Sequence, residues 1–193
     1  MKNALNLFRT AAVVPRVHIG NVTKNCKEIM KAYDSLAKQV DLIVTPELSM
    51  TGYTCADLFN NRNLLEMARR GLYELVAYTK KYEEHGAALV VGVPLEKENE
   101  LFNCAALIQN GSLIALIPKT YLPNYGEFYE KRWFSAGEQE AQALELNCGE
   151  NWIQTIFGNN ILVEIGTHKK VCIGIELCED ALSLIHISEP TRP

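Results

Sequence analysis

Two long segments with apolar residues at helical spacing alternate with short apolar runs, and this alternation constrains the fold more than any other feature. The first segment, 21–40, carries Val22, Cys26, Ile29, Tyr33, Leu36 and Val40 on one stripe, the mark of an amphipathic helix. The second, 61–86, is a long amphipathic helix closed by Gly86. Runs 5–14 (LNLFRTAAVV), 41–47 (DLIVTPE) and 87–94 (AALVVGVP) are short and read as strands, the last two as buried ones. Strand, helix, strand, helix, strand predicts an α/β layer fold with helices covering one face of a sheet.

Further strands follow. Residues 101–119 form two β runs joined by Asn110-Gly111, a dipeptide whose tolerance of positive φ makes it the strongest short hairpin signal. A loop rich in proline and aromatic residues, TYLPNYGEFYEKRWF, occupies 120–134. Residues 161–180 read as another hairpin, turning at Gly166-Thr167.

Composition narrows the function. The 193 residues are 48% hydrophobic and 22% charged, with a net charge of −4, which suits a globular domain with a sizeable core. No basic stripe is present, so nucleic acid and anionic membranes are not expected partners. Asn3, Asn6 and Arg9 interrupt the first apolar stretch, so no secretory leader is expected, and no run is long enough to span a membrane. Cys26, Cys55, Cys104, Cys148, Cys172 and Cys178 form no CxxC pair. A reducing, cytoplasmic compartment is expected, without a metal site, since the paired spacing of structural zinc is missing.

Three apolar runs each end on a reactive side chain: DLIVTP at Glu47, SLIALIP at Lys119 and VCIGIEL at Cys178. Ligand sites in helix-flanked sheets gather outside the carboxyl ends of strands, so these three are candidates for one cleft. A thiol nucleophile needs a base or a depressed pKa. Glu47 could take its proton and return it to a leaving amine. Lys119 could favour the thiolate and stabilise a tetrahedral oxyanion. Against this, a cysteine in a β run is usually a small core residue, and a charged residue after a strand is usually solvated.

The motifs are more specific. TPELSMTGYTCADL (45–58), IPKTYLPNYGEFYEKRWF (117–134) and GIELCED (174–180) together resemble the nitrilase superfamily of carbon–nitrogen hydrolases. Within it they resemble the glutamine-hydrolysing domain of glutamine-dependent NAD synthetases. The likeness runs from about residue 8 to residue 180. It implies a nitrilase-like α-β-β-α sandwich. It also implies Glu47 as general base, Lys119 as oxyanion-stabilising cation and Cys178 as nucleophile. Glu127 would be a supporting glutamate that orients the triad. Tyr125, Phe128 and Glu179 would lie at the glutamine pocket, where a carboxylate can pair with the α-amino group. The implied reaction passes through a γ-glutamyl thioester and supplies ammonia. A synthetase domain, using ATP and Mg²⁺, would then amidate nicotinic acid adenine dinucleotide to NAD, in a homo-oligomeric enzyme.

Measured against that family, the chain is expected to be partial. Residues 1–181 read as an incomplete nitrilase domain whose C-terminal part is missing. No Ser-Gly-Gly ATP loop of a synthetase domain appears. Residues 182–192, LSLIHISEPTR, read as a transposon-end sequencing adapter translated in frame, so 182–193 is expected to be non-native. A stand-alone amidase or carbamoylase, and an inactive fragment, remain alternatives.

Overall fold

The computed structural model describes residues 7–137, 140–166 and 170–182. Strand β1 (Thr10–Ala12) pairs in parallel with β2 (Leu42–Val44), and β2 in parallel with β3 (Ala88–Lys97). Helix α1 (Val22–Leu36) links the first two strands, and α2 (Arg62–Thr79) leads to the third. Both helices start on an asparagine whose side chain accepts a backbone N–H that the helix itself cannot pair: Asn21 from Lys24, and Asn61 from Asn63 and Leu64. The expected apolar stripe of α1 is its buried face, with Val22, Cys26, Ile29 and Tyr33 inside. The second helix ends earlier than expected, at Thr79. Residues 80–85 wind into tighter 3-10 turns, and Gly86 is extended (φ −79°) rather than a left-handed cap.

Strands β4 (Glu100–Gln109) and β5 (Ser112–Pro118) form the expected hairpin, with φ of 51° at Asn110 and 80° at Gly111. Strands β6 (Gln142–Asn147) and β7 (Trp152–Phe157) form a hairpin that the sequence reading left unassigned. Its signal was present: Ile153, Thr155 and Phe157 are buried and alternate with exposed Trp152, Gln154 and Ile156, the period of a half-buried strand. The main sheet has seven strands in the order β1-β2-β3-β4-β5-β7-β6. A separate two-stranded sheet joins β8 (Val163–Ile165) to β9 (Val171–Ile173). Thr167, in the expected turn, lies outside the described residues, as do residues 183–193 of the expected non-native tail.

Both helices pack on one face of the main sheet, where Ile29, Phe59, Leu72, Leu89, Val91 and Phe102 share a core. On the other face Val90, Leu107, Ala115 and Ile117 pack against Ile165 of β8 and Leu177, just before Cys178. The described residues thus form three layers of the expected sandwich: helices, main sheet and a small second sheet. No helix among them is long and apolar enough to cross a membrane.

Candidate active site

Strands β2, β3 and β5 run in the same direction, because β4 reverses twice between β3 and β5. Their carboxyl ends therefore share one end of the sheet. Lys119 follows directly on β5, and Glu47 lies just beyond β2. Glu47 lines a cavity with Val90 and Ala105, on the face away from the helices.

Gly92 on β3 makes room for the glutamate. A Cβ there would lie 2.1 Å from the Leu48 nitrogen and 2.7 Å from the Glu47 carbonyl carbon. The turn carrying Glu47 thus lies flat on the strand, and only a residue without a side chain permits it. The turn is pinned as well: Met50 N–H donates to the Gly92 carbonyl at 3.1 Å, and Gly92 N–H donates to Ser49 Oγ at 3.2 Å. Leu48 takes up a left-handed conformation (φ 51°) to make the turn.

Lys119 is wholly buried and bridges two carboxylates. Its Nζ donates to Glu47 Oε1 at 2.7 Å and to Glu130 Oε1 at 2.8 Å. Burial alone would push the ammonium down, but the hydrogen bonds to Glu130 and Glu47 outweigh it and hold the cation above its ordinary range. Tyr53 donates to the same Glu130 oxygen at 2.6 Å. Burial and that bond raise the phenol well above its usual value. Asn103 of β4 donates to Glu47 Oε1 at 2.5 Å, while its carbonyl accepts the Lys119 N–H at 2.8 Å.

Cys178 sits on a turn with φ 47°, a left-handed conformation that a side chain adopts only when surrounding contacts over-determine it. Asp180 supplies such contacts. Its carboxylate accepts the N–H groups of Tyr121 (2.7 Å), Thr120 (3.1 Å) and Leu177 (3.4 Å), latching the cysteine turn to the chain just after Lys119. Glu47 and Cys178 face a common cavity of about 290 Å³, also lined by Gly92, Ala105 and Leu177. The Cys178 thiol is raised above its ordinary range. Burial is the largest cause, Lys119 opposes it, and Glu47, Glu130 and Glu179 add to it. The lysine therefore does not produce a resting thiolate here: burial outweighs its pull and the nearby carboxylates add to burial, so a thiol in this place needs a base to become a nucleophile.

The other expected residues divide. Tyr125 Oη donates to Glu179 at 3.1 Å, and its ring meets Phe128 edge-on at 5.9 Å between centroids, so these three form one cluster beside Cys178. Glu127 is exposed, and the carboxylate against the lysine is Glu130. The loop places Glu130 inward because its chain turns through Glu130–Arg132 and is tied to the turn at 53–60, where Arg132 and Trp133 both donate to Asp57, at 2.8 and 3.0 Å. Glu130, Tyr53, Asn103 and Asp180 are contributors that the sequence reading did not single out. Asn103 left the plainest trace, a polar residue inside the buried run LFNCAALI.

A cysteine, a carboxylate and a buried lysine on a sheet end, with a second carboxylate behind the lysine, match a known arrangement. The carbon–nitrogen hydrolase pattern covers residues 9–183, and the chain belongs to that family. Among its relatives is the glutamine-dependent NAD(+) synthetase of Acinetobacter baylyi, 34% identical over 187 residues, covering 96% of this chain and 29% of the synthetase. The crystal structure of a glutamine-dependent NAD(+) synthetase from Cytophaga hutchinsonii superposes with a TM-score of 0.77 at 27% identity, over 90% of this chain and 28% of that one. An amidase from Nesterenkonia sp. superposes at 0.56 with 26% identity, over 72% of this chain and 51% of its own. The chain spans about a quarter of the length of the curated synthetases it matches (23% to 29%).

Proposed function

We propose that this domain hydrolyses the side-chain amide of glutamine and releases ammonia. The observation that carries the reading is the buried Lys119, shared between Glu47 and Glu130, with Glu47 and Cys178 lining one cavity. The family and the synthetase relatives support the choice of amide.

Cys178 Sγ attacks the amide carbon as Glu47 takes the thiol proton. The negative charge that develops on the carbonyl oxygen is stabilised by the Lys119 ammonium. Glu47 then gives its proton to the leaving nitrogen, the C–N bond breaks, and ammonia departs from a γ-glutamyl thioester. Water adds to the thioester as Glu47 takes its proton, and that proton returns to sulfur as glutamate leaves. Glu179, with Tyr125 and Phe128 beside it, pairs with the substrate's α-ammonium group.

In the longer protein this reading implies, a synthetase domain would accept the ammonia and amidate nicotinic acid adenine dinucleotide to NAD. ATP and Mg²⁺ would act in that domain, in a cytoplasmic homo-oligomer. The same reading treats residues 1–181 as a partial nitrilase domain and 182–193 as adapter-derived; sequencing the source DNA across codon 181 tests it, and native sequence encoding the tail would overturn it.

The likeness to the Nesterenkonia amidase favours one second reading, an amidase acting on small aliphatic amides with the same triad. Incubating the purified chain with glutamine, and separately with acetamide and butyramide, decides between them. Glutamate and ammonia in equal amounts, abolished in Cys178→Ala, are expected. Hydrolysis of the small amides with glutamine untouched would favour the second reading. Activity unchanged in Cys178→Ala would remove the cysteine from the mechanism.

A further inference from the structure

Two donors meet on a single oxygen of the base. Glu47 Oε1 accepts from Asn103 Nδ2 at 2.5 Å and from Lys119 Nζ at 2.7 Å. Asn103 is wholly buried on β4. Its own amide oxygen is buried and has no hydrogen-bond partner among the described residues. A buried polar side chain is costly when half its capacity goes unused. The bond that it does make goes to the carboxylate. Turning the amide over would set its oxygen against an acceptor-only group, so the carboxylate fixes which way it points.

We infer that Asn103 is a positioning residue for the base: with Lys119 it locks Oε1 of Glu47 as an acceptor and leaves Oε2 as the oxygen that takes and returns the proton. The inference rests on the reading of Glu47 as the base. Lys119 makes the shared oxygen the more anionic of the pair, and Asn103 keeps the carboxylate from rotating to exchange the two. The charged and titratable groups facing Glu47 are Lys119 from the end of β5, Tyr53 from the turn after β2, and Cys178 and Glu176 from the cysteine segment. Glu130 acts on it through the shared lysine. Asn103 is the uncharged donor among them, so removing it changes no net charge.

Alkylation of Cys178 by iodoacetamide, followed by the mass of its peptide across a range of pH, reads this pairing without any amide substrate. A failed glutamine assay therefore leaves the inference testable, and a failed alkylation result leaves the glutamine reading standing. In Asn103→Ser the charged form of the carboxylate loses a donor. The low-pH limb of the alkylation profile is expected to move up by about one pH unit, slowing alkylation about tenfold at a pH on that limb. Asn103→Asp, close to isosteric, sets a second carboxylate there and should move the limb further. A lower rate with the limb in its wild-type place would mark a merely structural role and overturn the inference. Should either variant fail to fold, the wild-type chain still decides. The Asn103 side-chain amide resonance should shift with the midpoint of the alkylation limb and lose that shift in Glu47→Gln. A resonance indifferent to pH would overturn the inference.

Discussion

The Lys119 ammonium lies 2.8 Å from Glu130 Oε1 at a point where neither side chain reaches solvent, their exposures being 0% and 2%. Removing one member of a buried pair leaves a charge with reduced compensation, at a typical cost of about 3 kcal/mol. Glu130→Ala should therefore destabilise the chain by about that much in urea denaturation and also leave Tyr53 without its acceptor. Glu127→Ala, at an exposed position in the same loop, should stay within about 0.5 kcal/mol. Equal effects of the two substitutions would contradict the placement of Glu130.

Gly92 is expected to be intolerant for a reason unconnected with catalysis. In Gly92→Ala the new methyl group would stand 2.1 Å from the Leu48 nitrogen, so the turn must lift off the strand. Overpacking of this kind costs about 1–3 kcal/mol. The larger effect should fall on Cys178 alkylation near neutrality, since Glu47 moves with the turn. A variant with wild-type alkylation would show that the glutamate turn does not depend on the glycine.

The raised Cys178 thiol gives a pH prediction of definite sign. The group is neutral when protonated, so a raised value means that thiolate appears only above the ordinary 9.0. The thiolate absorbance difference between wild type and Cys178→Ser should be absent near neutrality and emerge only above that pH. Full thiolate absorbance at neutral pH would require the lysine to outweigh both burial and the neighbouring carboxylates, contrary to the arrangement described.

Asp57 provides a second pH test, at the surface. The hydrogen bond from Arg132, then that from Trp133, holds its carboxyl down from 3.8 to about 2. A carboxylate depressed in the folded state contributes stability above its unfolded value, and the contribution is lost as pH falls through the folded one. Asp57→Asn should lower the thermal midpoint near neutrality, and the gap to wild type should narrow steadily once the pH drops below 3.8 toward about 2. A gap independent of pH would show that the ionised form is not what anchors the loop.

Much of this was legible in the sequence. The helix stripes, the Asn110-Gly111 turn and the apolar runs ending near Glu47 and Lys119 follow from local periodicity and turn chemistry, which the final packing respects. The convergence of the strand ends was inferable because βαβ units run parallel. The β6–β7 hairpin was overlooked although its alternation was there. The choice between Glu127 and Glu130 was of another kind. In an irregular loop no periodicity says which side chain turns inward; that is fixed by contacts distant in sequence, Tyr53 to Glu130 and Asp57 to Arg132. Asp180 was hidden for the same reason, since its partners Thr120 and Tyr121 lie about sixty residues earlier.

The strap formed by β8 and β9 has a dynamic consequence. Glu47 and Lys119 extend from strands paired on both sides in the seven-stranded sheet, whereas Cys178 follows a two-stranded ribbon with three residues in each strand. Such ribbons open at low free-energy cost, while central strands exchange their amide protons only when the whole domain opens. Cys178, the proposed nucleophile, thus follows a less protected element than Glu47 and Lys119 do. On mild heating or in low denaturant, activity should disappear while the sheet still holds its amide protons, so that inactivation and unfolding form two separate transitions.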